Sequence, residues 1–340
     1  MKKKPPQLSD LPPSPPGLSG WPWTESGPEL PDVRSDGSAW PALSMVTPSY
    51  MHVEFLEKTL RSVILQGYPS LQFVVIDGGS DDGSVAMIEK YAPWLDVWIS
   101  EPDEGQSDAL MKGFSHATGE IINWLCSDDW LLPGALAKMA EFQSTCPDAV
   151  AWVGNCLEID VHDNELKVNK PRLPASMDRM GDWGGDTQFW QPSCFFRREA
   201  FERVGGLRHY LHFVMDVDLW IRLAQVGDFA KLDEVLSAGR MHADAKTSRD
   251  VSMRESEILA ANIISGTPDV ARERFNRYMD LAAGRKVLKR KSHNPIALFR
   301  FKMVADGVPY RMLAHYFWER SLRSLKCRFL SGKYGGNDEH

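Results

Sequence analysis

Short apolar runs and segments of helical periodicity alternate along the first half of the chain. Each apolar run has the length of a buried strand, and each intervening segment repeats its apolar residues at helical spacing. In chain order, these segments are 42–46, 54–66, 72–76, 84–91, 96–100, 107–117 and 120–125. The alternation predicts an α/β fold with a doubly wound, mostly parallel sheet and right-handed crossovers.

Polar side chains follow three of the predicted strands, in the clusters Thr47–Tyr50, Asp77–Asp82 and Ser127–Asp129. Parallel sheets bind ligands beyond the carboxyl ends of their strands, so we expect the three clusters to meet in one crevice. The last cluster places two adjacent acids, Asp128 and Asp129, after a core strand, where like charges repel. One acid can cap the helix predicted over 133–143, but a cap does not explain the second.

The chain lacks the common glycine-rich loops that bind nucleotide phosphates. Neither GxGxxG nor GxxxxGK[ST] occurs, and the loop after the second strand, DGGSDDG, is acidic. An acidic loop repels a pyrophosphate, which disfavours hydride transfer with a dinucleotide. If a nucleotide binds, a divalent cation held by carboxylates has to neutralise its phosphates, and Asp128 and Asp129 are the candidates.

From about residue 150 the pattern becomes mixed. The sequence predicts a strand with a turn over 149–166, a strand and a short helix over 191–206, a helix over 216–227 and extended structure over 229–242. Residues after 250 have a helical pattern.

Composition is that of a globular chain with 340 residues, 43% of them apolar. Five cysteines without a CxxC pair argue against a disulfide framework and indicate a reducing compartment. No secretory signal follows Met1–Lys4, and no apolar run approaches the ~18 residues that span a bilayer. We therefore expect a cytoplasmic protein.

Proline content and charge predict three parts. Residues 1–38 hold nine of the 22 prolines and are predicted to be a flexible leader, 39–248 to be the main domain, and 249–340 to be a helical basic extension. The net charge is −7, although residues 285–333 carry 13 Lys and Arg against two acids. The main body is therefore acidic, which is unlike a nucleic-acid binder.

Segment 310–330 has a cationic amphipathic pattern when it is drawn as a helix. Such a helix suits peripheral docking at an anionic membrane, here the inner face of the plasma membrane. Packing of its apolar face on the main domain, with the basic residues solvated, also explains the pattern.

Two stretches resemble family 2 glycosyltransferases: MVTPSYMHVEFLEKTLRSVILQGYPSLQFVVIDGGSDDGS and WISEPDEGQSDALMKGFSHATGEIINWLCSDDWLLPGAL. A third, QPSCFFRREAFERVGGLRHYLHFVMDVDLWIRLA, is similar to the second half of that family's catalytic domain. The likeness covers roughly residues 42–245. It implies a GT-A fold and inverting transfer from a nucleotide-diphosphate sugar to a glycan or glycolipid acceptor, in cell-surface polysaccharide or lipid-linked oligosaccharide synthesis.

The resemblance gives donor-binding roles to residues near the strand ends. Those implied to line the base and ribose are Thr47, Pro48 and Tyr50, and those implied to contact sugar or phosphate are Asp103, Gln106, Asp108 and Lys112. Asp77 would accept a hydrogen bond from an N–H of the base. DGGS is also good turn chemistry, so a turn role for Asp77 stays open.

The SDD sequence stands at the position of the family's DxD-like metal motif. The resemblance implies that Asp129 is the principal ligand of Mg²⁺ or Mn²⁺, and that Asp128 contacts the ribose or the metal. The family often has Asn or Thr where Cys126 stands, and we predict Cys126 to be a small buried residue. His242 falls where related enzymes place a histidine near the diphosphate or metal, although a lone histidine is more often an ordinary polar residue.

The catalytic base is expected in the segment FVMDVDLW. Inversion needs a carboxylate opposite the leaving group to take the proton of the acceptor hydroxyl. The family's usual acid pair is Glu-Asp with Asp as base. The corresponding residues here are Met215 and Asp216, so Asp216 is the predicted base and Asp218 the alternative. The segment around Gln191 and Pro192 is implied to face the acceptor.

Together these inferences predict a metal-dependent inverting glycosyltransferase. The alternative is a catalytically silent nucleotide-sugar-binding or scaffold protein of the same fold, and the presence of both acids and Asp216 argues against it. A nucleotidyltransferase would need a glycine-rich basic loop at the first strand, which TPSY does not supply.

Overall fold

The computed structural model of the protein describes residues 5–241 and 251–275, and within these residues one sheet of nine strands organises the fold. Its first half is parallel, in the order β3-β2-β1-β4. The elements in chain order are β1 (Leu43–Ser49), α1 (Val53–Ile64), β2 (Leu71–Asp77), α2 (Ser84–Tyr91), β3 (Val97–Ser100), α3 (Gln106–Ser115) and β4 (Ile121–Trp124). The predicted α/β sheet with flanking helices is confirmed.

The second half of the sheet is mixed. Its elements are β5 (Trp130–Leu131), α4 (Ala135–Thr145), β6 (Ala151–Ile159), β7 (Glu165–Asn169), β8 (Cys194–Arg197), α5 (Arg198–Arg203), α6 (Met215–Ala224) and β9 (Phe229–Arg240). From β4 the order continues β8-β6-β9-β5, and β7 pairs with β6. Strand β8 is antiparallel to both of its neighbours, β4 and β6. The two-residue strand β5 pairs with the carboxyl-terminal part of β9, which brings the chain just after Asp129 beside the end of β9.

Strand β1 is buried on both faces, including its polar residues Ser44, Thr47 and Ser49. All seven of its residues are buried, because helices cover both sides of the parallel half. Aromatic rings fill the core beside β4, where Trp124 stacks on Trp220 of α6 with ring centroids 5.6 Å apart.

The proline-rich segment before β1 packs on the sheet domain from residue 5 onward, unlike the flexible leader that its composition predicted. The buried guanidinium of Arg61 in α1 donates hydrogen bonds to the carbonyls of Pro12, Pro22 and Trp23. The indole of Trp21 donates to the carbonyl of Leu131 in β5, at 2.8 Å. Prolines lack an N–H but keep a carbonyl acceptor, so a buried arginine can order such a segment without regular secondary structure.

The chain divides into two units between Arg249 and Asp250. The helix Val251–Ile264 belongs to the second unit. His242 and segment 310–330 lie outside the described residues, so their predicted roles stay predictions. Among the described residues, no helix has the length and apolar character needed to cross a membrane.

Candidate active site

The Ser127–Asp129 loop follows β4 and is held from one side by α1. The Thr59 hydroxyl lies 2.9 Å from the carbonyl oxygen of Ser127 and 2.7 Å from that of Asp129. Nδ1 of His52, the residue before α1, lies 2.8 Å from the Ser127 hydroxyl. These contacts fix the backbone from which the two acids project.

Arg240, the last residue of β9, holds the loop from the other side. Its backbone amide donates to the carboxylate of Asp129 at 3.0 Å, and its Nε donates to the carbonyl of Asp128 at 3.1 Å. The positions of both acids are therefore set by a strand more than a hundred residues away in sequence.

The side chains of Asp128 and Asp129 meet that of Cys126. One ligand atom from each of the three residues lies within 4.8 Å of the others. Burial, and then the charge of Asp128, raises the pKa of Asp129 well above its usual value, while the Arg240 amide partly offsets this. A divalent cation would relieve the repulsion that raises this pKa, and carboxylate oxygens are suitable ligands for Mg²⁺ or Mn²⁺. The donor set therefore fits the metal that the resemblance implied.

Cys126 differs from the small buried residue that the sequence predicted. It is half-buried, and its sulfur accepts a hydrogen bond of 3.2 Å from Nε2 of Gln106. Gln106 is the first residue of α3, so the start of α3 lies against the acidic loop.

The same turn of α3 also contacts Met215, the residue before the predicted catalytic base. The Ser107 hydroxyl contacts Sδ of Met215 at 2.7 Å, and Asp216 follows Met215 in the first turn of α6. Consecutive residues of α3, Gln106 and Ser107, thus contact Cys126 of the acidic loop and Met215 at the start of α6. Asp216 is half-buried, and its carboxylate accepts a 2.8 Å hydrogen bond from the amide of Val217.

Asp218, the alternative base, has a different environment. It is fully buried, and its carboxylate pairs with Arg222 at 2.6 Å and with Arg208 at 2.7 Å. Two guanidinium groups occupy the oxygens of this carboxylate, and the residue is shielded from solvent. Through these two salt bridges, Asp218 connects α6 to Arg208 in the loop before it.

Asp77 closes the turn after β2. Its buried carboxylate accepts hydrogen bonds from the amides of Gly79 and Ser80 and from the hydroxyls of Ser80 and Ser100, all between 2.6 and 3.0 Å. This is the turn role that the sequence left open. Contact with a base stays a prediction.

Tyr50 and Asp103 converge over this turn. A Cβ added to Gly78 would lie 3.2 Å from Cδ2 of Tyr50 and 2.7 Å from Oδ2 of Asp103, so both side chains lie close over this glycine. The Tyr50 side chain is exposed beside this turn. An exposed ring beside a turn at the carboxyl end of the sheet can stack on a base.

Thr47 and Pro48 are buried within β1. Within the part of the chain that the structure describes, the hydroxyls of Thr47 and Ser49 are buried without a hydrogen-bond partner. Unpaired buried polar groups are costly, at about 1–3 kcal/mol each. Of this segment, Tyr50 is exposed, whereas Thr47 and Pro48 are buried.

The described contacts of Lys112 are with Glu101 and Asp108 and not with the acidic loop. It lies in the last turn of α3, and its ammonium is 3.1 Å from Glu101 and 3.3 Å from Asp108. The hydrogen bond with Glu101, together with that of Asp108, raises the pKa of Lys112. Gln106, one and a half turns earlier on the same helix, is the α3 residue that reaches the loop.

His52, Thr59 and Arg240 support the site but were not predicted from the sequence. His52 and Thr59 lie inside the family-like stretch, where they read as ordinary polar positions at the start and on one face of α1. Arg240 had only its nearness to His242 as a signal.

The sequence of this chain is similar to those of known glycosyltransferases. A family model described as "Glycosyl transferase family 2" matches residues 44–205. An uncharacterized glycosyltransferase of Mycobacterium tuberculosis is 39% identical over 189 residues, which cover 55% of this chain and 70% of that protein.

Two solved structures share the fold. TarS 1–349 of S. aureus in complex with UDP-GlcNAc matches with a TM-score of 0.57 and 14% identity, over 87% of this chain and 94% of that chain. The mannosyltransferase PcManGT from Pyrobaculum calidifontis, in complex with GDP-Man and Mn²⁺, matches with a TM-score of 0.51 and 19% identity, over 89% and 91%. This chain covers 50% of the length of the longer TarS chain in another S. aureus crystal structure. At these identities the likeness of the structures concerns the fold alone.

Proposed function

Since this chain belongs to glycosyl transferase family 2 and has the GT-A fold, we propose that it is a metal-dependent, inverting glycosyltransferase. Its donor in this proposal is a nucleotide-diphosphate sugar, and its acceptor is a hydroxyl of a glycan or glycolipid. The observation that carries the proposal is the cluster of Asp128 and Asp129 with Cys126, which the first turn of α3 contacts beside its contact with Met215, the residue before Asp216.

Asp129, with Asp128 beside it, would hold Mg²⁺ or Mn²⁺. When bound, the cation supplies positive charge that stabilises the diphosphate as it leaves. Thr59, His52 and Arg240 fix the loop in advance, so little reorganisation is needed when the donor binds. Mn²⁺ and GDP-Man in PcManGT, a protein of the same fold, support this proposal.

The donor base would lie between the Tyr50 ring and the turn that Asp77 closes. A larger residue at position 78 would require Tyr50 and Asp103 to shift. Gln106 would meet the sugar or the phosphates, since it already contacts Cys126 at the edge of the acidic loop.

Asp216 would act as the base. It lies in the first turn of α6, near the positive end of the helix dipole. The carboxylate takes the proton of the acceptor hydroxyl as the oxygen attacks the anomeric carbon. The bond from that carbon to the diphosphate breaks, the electron pair leaves with the nucleoside diphosphate, and the configuration inverts.

The destination we propose is cell-surface polysaccharide or lipid-linked oligosaccharide, made in the cytoplasm at the inner face of the plasma membrane. The family resemblance supports this proposal. The basic segment 310–330 supports it through its sequence pattern only.

The test is a panel of UDP- and GDP-sugars, assayed with the full chain with and without Mn²⁺ by thermal shift and by turnover. A true donor at 100 times its Kd should stabilise the protein by about 2.7 kcal/mol, and only with the metal. Asp129→Ala should abolish the metal-dependent shift, whereas Asp148→Asn, at an exposed site before β6, should not. Donor binding without any turnover would favour the catalytically silent alternative.

A further inference from the structure

We infer that Arg240 is the positioning residue of this site, which places Asp128 and Asp129 and ties their loop to the hairpin turn 160–163. The inference rests on the proposed metal site. Arg240 touches neither substrate nor the reacting atoms in this account; it acts through the two acids.

The strand register puts Arg240 where it can contact both acids. Strands β5 and β9 are antiparallel and pair Trp130 with Ala238, so continuing the register by two residues brings Arg240 alongside Asp128. At this point the Arg240 amide donates to the Asp129 carboxylate at 3.0 Å, and the side chain donates to the Asp128 carbonyl at 3.1 Å.

The rest of the guanidinium is bound to the turn between β6 and β7. Nη1 donates to the carbonyls of Asp160 and Val161 at 3.0 and 3.1 Å, and Nη2 donates to the Asp163 carboxylate at 2.6 Å. Asp163 has φ = +68°, a left-handed conformation that aspartate tolerates in turns. One planar group therefore joins two loops that are distant in sequence.

The surroundings keep the Arg240 side chain in one position. It is only 3% exposed, and its guanidinium carbon lies 4.3 Å from the centre of the Phe55 ring and 5.3 Å from that of Trp130. Lys58 adds a second bridge, with its ammonium 2.7 Å from Asp163 and 3.4 Å from the centre of the Trp130 ring. Although burial opposes it, the hydrogen bonds from Lys58 and Arg240 lower the pKa of Asp163, so the anchor stays charged.

Arginine suits this task better than lysine. The guanidinium donates in several fixed directions at once, here to three carbonyls and one carboxylate. A lysine ammonium has three donors on one atom and cannot span both loops. The described hydrogen bonds of the guanidinium go to backbone carbonyls and Asp163, so the side chain holds the Asp128 backbone without occupying a carboxylate oxygen of Asp128 or Asp129.

The experiment measures Mn²⁺ affinity by the loss of the electron paramagnetic resonance signal of free Mn²⁺, on the purified full chain. Three substitutions are compared with the unmodified protein: Arg240→Lys, Asp163→Asn and the control Arg198→Lys. Arg198 also donates to a backbone carbonyl and a carboxylate, those of Gly119 and Glu202, but beside the opposite end of β4.

We expect Arg240→Lys to weaken Mn²⁺ binding by about 10–100-fold, the usual effect of losing a group that orients metal ligands. Asp163→Asn should shift it in the same direction by less, and Arg198→Lys should leave it unchanged. With a donor identified, saturating Mn²⁺ should restore most of kcat in Arg240→Lys, because the ligands themselves remain. A purely structural role would instead lower the melting temperature without changing Mn²⁺ affinity.

Unchanged Mn²⁺ affinity in Arg240→Lys would overturn the inference. If Arg240→Lys does not fold, Asp163→Asn decides by the same criterion. Asp129→Ala, measured in parallel, distinguishes failure of the proposed metal site from failure of the positioning role alone. If Mn²⁺ binding does not depend on Asp129, the proposed metal site fails and the inference falls with it; if it depends on Asp129 but not on Arg240 or Asp163, only the positioning role fails.

Discussion

Nε2 of Gln106 donates a 3.2 Å hydrogen bond to Sγ of Cys126, so the start of α3 touches the loop that carries Asp128 and Asp129. This contact explains why Cys126 is half-buried and turned towards the acids rather than packed in the core. A cysteine in this position reports on the site, because its access to reagents depends on what the acids bind.

We predict that Cys126 reacts with a maleimide in the metal-free protein, and that Mn²⁺ slows the reaction. Cys156 and Cys194 should stay unmodified, since burial raises the pKa of both thiols and leaves almost no thiolate. Mass spectrometry of a Cys327→Ser variant measures this, and half-buried Cys146 serves as the control whose rate Mn²⁺ should not change. Equal protection of Cys146 would show that the effect is not local.

The two acids of α6 should respond differently to substitution. Asp216→Asn should keep the protein folded and lower kcat by about 10²–10⁴-fold, the usual contribution of a general base. Asp218→Asn should instead destabilise the fold by about 3–5 kcal/mol, because it leaves Arg208 and Arg222 without their buried partner. Urea unfolding and single-turnover kinetics distinguish the two effects. A stable, inactive Asp218→Asn variant would reverse the assignment of the base.

The stability of the metal-free protein should depend on pH through the ionisation of Asp129. Burial and the charge of Asp128 raise its pKa in the folded state, so ionising it opposes folding. The cost is absent below the usual carboxyl pKa of about 4, grows as pH rises towards the raised folded-state pKa, and is constant above it.

We therefore expect Asp129→Asn to melt at a higher temperature than the unmodified protein near neutral pH without metal, and the difference to vanish in acid. Mn²⁺ should stabilise the unmodified protein only. Thermal melts over a pH series, with a chelator or with Mn²⁺, measure both effects. A lower melting temperature for metal-free Asp129→Asn would contradict the account.

Removal of residues 1–38 should destabilise the domain. The truncation exposes Arg61, which loses three carbonyl acceptors, and removes the buried side chains of Leu11 and Trp23. Hydrogen bonds to a charged group are worth about 1.5–3 kcal/mol each, so a fall in stability of several kcal/mol is expected. Urea unfolding of the truncated chain measures this loss of stability. An unchanged urea midpoint would support the flexible leader that the composition predicted.

Local patterning was enough to predict the architecture of the first half, and it is also the basis for the candidate site. Each strand from β1 to β4 is a short apolar run ended by polar residues, and parallel pairing then has to bring those ends to one edge. The acidic pair after β4 and Asp216 in α6 were recognised from neighbours in sequence. The GT-A fold and the family were likewise predicted and are confirmed.

The other features of the site depend on tertiary contacts. These contacts join residues far apart in the sequence, and no periodic pattern of apolar residues indicates them. Nothing local marks Arg240 as the partner of Asp128 and Asp129, Thr59 as a donor to their loop, or Arg61 as the anchor of the proline-rich segment. Asp216 and Asp218 differ in the same way: two positions apart on one helix, only the second faces Arg208 and Arg222. Sequence alone determined which chemical groups lie at the ends of the strands. Packing determined which of them are held in salt bridges and turns and which are left at the crevice, because each contact with a distant element removes one carboxylate or hydroxyl from those that can meet a ligand.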